Sequence, residues 1–146
     1  MKNYWLLKTE GDCYSIDDLA RDKRTAWTGV RNYQARNFIR SMKEGDGVLI
    51  YHSSGKVNGV YGIGSVVGAP YPDPTQFDSS DEHFDPKSQS AEPRWLCADI
   101  EFVRKLNNPI TLETIKHDNE LSEMLVCRRG NRLSVMPVER KHYERF

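Results

Sequence analysis

The sequence predicts an α+β fold, a small and mostly antiparallel β-barrel flanked by short α-helices. Strand-like segments outnumber long helical ones, and neighbouring strands are often joined directly. There is no steady strand-helix alternation of the kind a parallel sheet needs. A chain of 146 residues can bury a real core without disulfide or metal staples. Residues 1–146 are therefore expected to form one domain.

Each element has its own signal. "NYWLLK" (3–8) is aromatic and aliphatic enough for an opening strand. "SIDD" then places Asp18 three residues after a capping Ser15, with Ile16 and Leu19 on one face, predicting a short helix that ends near Arg21. Ala35, Phe38, Ile39 and Met42 share a second helical face, which "EGDG" (44–47) terminates, and Asn32 is its expected N-cap. "GVLIYHS" (47–53) and "GVYGIGSVV" (59–67) read as a hairpin across the turn "SGKVN" (54–58). Glycines 59, 62 and 64 point to a bend or a close backbone approach. The proline-rich stretch from Gly68 to Pro93 is a long loop, of a length often tied to function. "RWLCADIEFVRKL" (94–106) alternates as a half-exposed strand. "TLETIKHD" and "ELSEML" suggest two short helical pieces, "NRLSVMPV" (131–138) a last strand, and "ERKHYERF" a closing helix.

Composition narrows the function. Charged residues make up 29% and hydrophobic ones 38%, as in a folded, water-exposed domain. No apolar run approaches the length of a membrane span, and the N-terminus has no cleavable signal pattern, so a cytoplasmic protein is expected. Cys13, Cys97 and Cys127 lack C-x-x-C spacing and read as reduced thiols. The four histidines show no metal-ligand spacing, and neither metal nor cofactor is expected.

Net charge is zero, but it is sorted along the chain. Residues 21–43 and 128–145 are basic, while 73–92 are acidic. Because attraction to a polyanion is screened beyond ~8–10 Å at ordinary salt, such zones act locally whatever the total. The segment "WTGVRNYQARN" (27–37) concentrates flat rings and planar hydrogen-bonding groups within the first basic zone. Arg31, Asn32 and Tyr33 fall at a helix entrance, where free N–H groups favour an anion.

Six blocks, "YWLLKTE", "WTGVRNYQARNFIRSMKEGD", "YHSS", "GIGSVVGAPYPDPTQFD", "PRWLCADIEFV" and "RRGNRLSVMPV", resemble the EVE domain family in order and spacing from Tyr4 to about Val138. The resemblance implies a PUA-like barrel, akin to PUA, YTH and ASCH domains, that reads a modified nucleobase. A modified cytosine in DNA, such as 5-methylcytosine, is the favoured target, with modified RNA as the alternative. The sequence departs from the family pattern at Gly11, often a proline there, and at "KVNGV" (56–60), where a Pro-Gly pair is frequent.

A base held out of its stack needs aromatic walls and groups matched to its edge. Trp27, Tyr33 and Trp95 are candidate walls, with core as the other reading of each. Asp73 could accept from an exocyclic amine, or could simply make the turn that its flanking prolines favour. Asn32 offers donor and acceptor, or a helix cap. Ser53 enters by its family position. Arg31, Arg36, Arg128, Arg129 and Arg132 are candidate phosphate contacts, or a solvated basic surface, and Lys8 joins them by family analogy. "DSSDEHFD" (78–85) mixes acids with His83 but enforces no catalytic geometry, and no G-x-S-x-G elbow is present. The expected function is a non-catalytic reader of DNA or RNA; a small-metabolite-binding domain with the same pocket is the other class. No protein partner is indicated.

Overall fold

A computed structural model describes residues 2–53 and 57–146. Its strands are β1 (Tyr4–Glu10), β2 (Arg24–Ala26), β3 (Gly47–Ser53), β4 (Gly59–Pro72), β5 (Leu96–Thr111) and β6 (Val135–Pro137). Its helices are α1 (Ile16–Asp22), α2 (Tyr33–Ser41), α3 (Leu112–His117) and α4 (Arg140–Tyr143). The strands form one sheet in the order β2-β5-β4-β3-β1-β6.

One topological expectation is corrected. The sheet is not closed into a barrel: the three-residue strands β2 and β6 stand at opposite ends of the order, and no ladder joins them among the described residues. The sheet is mostly antiparallel, as expected, but mixed: β1 runs parallel to β3, with Leu6 opposite Leu49, while every other pairing is antiparallel. The crossover between β1 and β3 contains α1, β2 and α2. Its irregular make-up hides the parallel connection from any search for a βα rhythm.

Both faces of the central strands are covered. Trp5 and Leu7 of β1, with Val48 and Ile50 of β3, join Ile16, Leu19, Ala35 and Ile39 in one core. Leu6, Leu49 and Tyr51 point the other way, into a second core with Ile115, Leu121, Met124, Val126 and Met136. Strands buried on both faces read as continuous apolar runs rather than alternation. This is why "YWLL" and "VLIY" carry no charged residue.

Local chemistry fixes the ends. Ser15 and Asp18 form a reciprocal capping box at α1, and Asn32 Oδ1 accepts from the Ala35 N–H at 3.0 Å to cap α2. His52 Nε2 accepts the Ile16 N–H at 3.1 Å, tying the end of β3 to the start of α1. A Cβ at Gly62 would occupy the space of the Ile16 side chain, and one at Gly59 would meet the Ile110 backbone. Both glycines thus mark the close backbone approach that their spacing suggests.

Elsewhere the elements shift. The last strand contracts to β6, and "ELSEML" gives a 3-10 turn at Leu121–Glu123 with another following at Leu125–Cys127. Strand β2 has no counterpart among the expected elements, being too short to show a pattern. The hairpin turn expected at "SGKVN" falls largely on residues 54–56, outside the described residues. Cys13, Cys97 and Cys127 are all free thiols. Among the described residues no helix is long and apolar enough to cross a membrane.

Asp46, 1% exposed, ties the start of β1 to the turn before β3. Its carboxylate accepts from the Asn3 N–H at 3.1 Å, the Trp5 Nε1–H at 2.9 Å and the Lys43 N–H at 2.9 Å. Asp46→Ala strands these donors, and we expect it to lower unfolding free energy by about 2–4 kcal/mol in urea denaturation. Asp46→Asn keeps one acceptor oxygen and should lose less. A loss for Asp46→Ala within experimental error would show that water replaces the carboxylate.

Candidate nucleic-acid interface

The segment from Trp27 to Asn32 leaves β2 and enters α2, and its course is set by one carboxylate. Asp73 is fully buried, and its Oδ2 accepts from the Gly29 N–H at 2.8 Å and from Arg31 Nη1 at 3.2 Å. Its Oδ1 accepts from the Thr75 N–H at 2.8 Å and the Thr75 hydroxyl at 2.6 Å, starting the 3-10 turn Pro74–Phe77. Burial by itself would raise the Asp73 pKa, but the hydrogen bonds from Thr75, Gly29 and Arg31 outweigh it and the pKa falls. The carboxylate is thus held charged with its acceptor positions taken up by the protein. In this structure the acceptor positions that reading a base edge would need are filled by the protein, and Asp73 clamps the loop.

Arg31 is likewise spent internally. Its Nε and Nη2 donate to the His83 carbonyl at 3.0 and 2.7 Å, Nη1 donates to the Val30 carbonyl and Asp73, and Nη2 also reaches the Thr75 hydroxyl at 2.9 Å. These bonds use all five of the donors a guanidinium has. In this structure no Arg31 donor is left over for the phosphate that the sequence reading assigned to it. It pins the acidic loop onto the Trp27–Arg31 segment, where the His83 ring packs against Gly29. Gly29 has φ +85, a backbone state that a side chain would strain.

Above this clamp lies an aromatic ladder. Trp95 is 6% exposed and donates its Nε1–H to Asp85 at 2.7 Å. Tyr33 stacks on it at 4.8 Å between centroids with 24° between planes, and is 51% exposed. Arg31 Cζ sits 5.5 Å from the Trp95 ring and Arg36 Cζ 4.9 Å from that of Tyr33. Arg36 also donates to the Arg94 carbonyl and to Asn37, so it is partly engaged. Asn32 spends its oxygen on the helix cap. Its NH2 group remains to donate.

A second set gathers at the C-terminal ends of β1 and β3. Lys8 lies opposite Tyr51 with its Nζ 5.6 Å from that ring, and Ser53 lies opposite Glu10. Half-burial lowers the Lys8 pKa through desolvation, and its ammonium has no ion-pair partner among the described residues. The Lys8 N–H donates to the Ser134 carbonyl at 2.8 Å, which brings in the loop of Arg128, Arg129 and Arg132. Asn131 braces that loop: its Nδ2 donates to the Leu125 carbonyl, and its Oδ1 accepts from the Leu133 N–H. The three arginines are exposed and make no ion pair among the described residues.

Trp27 lies in the core beside Tyr14. It is 9% exposed and meets Tyr14 edge-on at 6.3 Å, while the Tyr14 carbonyl accepts from Thr9 beside Lys8. Tyr33 and Trp95 stack and are linked to Asp73 through Arg31, with Asn32 between Arg31 and Tyr33 in the chain, whereas the Trp27 ring packs in the core beside Tyr14 and no hydrogen bond among the described residues joins Ser53 to the Asp73 network. Sequence reasoning missed Gln76, fully buried, whose amide donates to the Asp73 and Trp95 carbonyls and accepts from Ser88 and the Trp95 N–H. It also missed Tyr14 and Thr75. Only the length of the proline-rich loop hinted that something had to hold it.

The clamp predicts a pH signature. Because the folded state holds the Asp73 pKa below its ordinary 3.8, the contribution is fully present above that value and fades as pH falls through the lower folded one. Asp73→Asn should cost about 2–4 kcal/mol at neutral pH. Denaturant titrations from neutral to acid pH should show wild type and variant converging only at acid pH. A gap that stays constant would deny the charge its role.

The EVE domain matches residues 3–146. Thymocyte nuclear protein 1 of Mus musculus is 40% identical over 163 aligned positions, covering 99% of this chain and 72% of that protein. The solved structure of a hypothetical protein from Leishmania major superposes with a TM-score of 0.95 at 43% identity, covering 99% of this chain and 92% of that one. Human THYN1, solved in complex with DNA containing 5-methylcytosine, superposes with a TM-score of 0.92 at 35% identity, covering 98% and 94%. With the match running nearly from end to end, this chain belongs to the EVE domain family.

Proposed function

We propose that this chain is a non-catalytic reader of DNA carrying a modified cytosine. The observation that carries the reading is the likeness, over 98% of the chain, to a human protein solved with DNA containing 5-methylcytosine. The site chemistry supports it. Tyr33 offers an exposed ring backed by buried Trp95, a platform on which a base can stack. The NH2 of Asn32 supplies a donor for a pyrimidine carbonyl or ring nitrogen. Trp27 closes the base of the site, and Ser53 offers a hydroxyl at the end of β3. Lys8, Arg36, Arg128, Arg129 and Arg132 receive the phosphates, while Asp73 and Arg31 hold the loop in place.

Fluorescence anisotropy tests this with matched DNA and RNA oligonucleotides carrying cytosine or 5-methylcytosine. The methylated DNA should bind at least tenfold tighter than the plain one, about 1.4 kcal/mol. Tyr33→Ala should cost about 1–3 kcal/mol, the worth of one stacked base. Replacing Arg128, Arg129 and Arg132 together by Ala should flatten the salt dependence by ~0.9 in log–log slope for each duplex phosphate no longer neutralised, without changing the preference for the methyl group. Equal affinity for plain and methylated cytosine would refute the reading. Salt-insensitive binding of a free nucleoside would favour a metabolite site instead, and preference for the RNA would move the target to RNA.

A further inference from the structure

Beside the arginine loop, three side chains converge that the proposed DNA site does not use. His142 of α4 is 1% exposed, yet its Nε2 has no hydrogen-bond partner among the described residues. A buried polar atom left in that state is costly and calls for an explanation. The ring lines a cavity of about 390 Å³ together with Glu123, Met124, Leu125, Arg128 and Glu139. Glu123 Oε2 stands 3.9 Å from Nε2, and Glu139 Oε2 stands 3.5 Å from Nδ1. One ligand atom from each of the three residues falls within 4.8 Å of the others.

We propose that His142, Glu123 and Glu139 bind a divalent transition-metal ion, with zinc as the natural occupant. One imidazole nitrogen and two carboxylates give the number of protein ligands that an open zinc site uses; Glu123 already faces Nε2, and Glu139, which faces Nδ1, turns to the Nε2 side to reach a bond length of about 2.0–2.2 Å. Both glutamates are well exposed, 61% and 67%, and therefore able to turn. His142 is fixed by burial. The nitrogen ligand favours zinc over magnesium or calcium, which take oxygen. Lys141, whose Nζ lies 3.6 Å from Glu123 Oε2, is the competing cation and would be displaced.

The three ligands come from the turn Leu121–Glu123, the residue capping α4, and α4 itself. A bound ion would therefore clasp the C-terminal helix to the segment that leads into the arginine loop. Metal search by spacing misses this set, because Glu123 is remote in sequence from the Glu139–His142 pair.

The test is calorimetric titration and thermal denaturation of untagged, metal-stripped protein with zinc and with magnesium. Wild type should bind one equivalent of zinc and melt several degrees higher, with no response to magnesium. Glu123→Gln and Glu139→Gln, both at exposed positions that leave the metal-free fold intact, should each weaken zinc binding at least tenfold, and Lys141→Ala should not weaken it. Absence of zinc binding up to millimolar concentration would overturn the proposal. Undiminished binding by the two glutamine variants would do so as well, since the ion would then sit elsewhere, for instance on the thiols.

Discussion

The candidate DNA-binding face depends on one buried charge. A carboxylate taken out of water is tolerated only when hydrogen bonds replace its hydration, and Asp73 meets that demand from two directions. Gly29 and Arg31 reach it from the segment before α2, and Thr75 from the turn after β4. Satisfying one anion therefore joins two loops that are remote in sequence. Arg31 extends the join to the acidic loop through the His83 carbonyl, and Gln76 extends it to the start of β5 through Trp95. The long loop from 73 to 95 is thus ordered by polar bonds rather than by an apolar core. Its own aspartates serve turns: Asp78, Asp81 and Asp85 each accept from a backbone N–H two residues on.

Most of what could be read in the sequence was local. The capping box at Ser15, the Asn32 cap and the glycines of β4 depend on near neighbours or on the absence of a Cβ, and such features leave a fixed spacing in the chain. What could not be read was long-range. The parallel pairing of β1 with β3 depends on a crossover whose middle is a three-residue strand, too short to show periodicity. Asp73 reads as an available acceptor because sequence shows a carboxylate but not the donors that fill it. Trp95 reads equally well as wall or core, and the structure makes it core with a stacking partner above.

The arginines show why residue type alone does not assign a phosphate contact. Arg31 and Arg129 are indistinguishable as letters in basic segments, but one has all five donors committed and the other none that the described residues take up. A guanidinium already saturated in a buried network would have to break that network to reach a phosphate. An exposed one gives up only water. The net charge of zero is consistent with this division, because acidic residues such as Asp73 and Asp85 lie beside arginines that shape the site, while those at 128–132 make no ion pair among the described residues.

Lys8 carries the argument furthest toward ligand binding. Its ammonium is half-buried and its pKa is lowered by desolvation, so the folded protein bears a cost that no carboxylate among the described residues offsets. The nearby Tyr51 ring at 5.6 Å compensates in part, as an aromatic face does for a cation. An anion or a base carbonyl arriving at the ends of β1 and β3 would supply what is missing, and the gain would be larger than for a surface lysine because water already competes poorly there. In the proposed reader, the exposed arginines would then govern encounter with the phosphate backbone. Lys8 and the Tyr33 platform, both held by strands and helix rather than by a free loop, would govern how closely the bound nucleotide must fit.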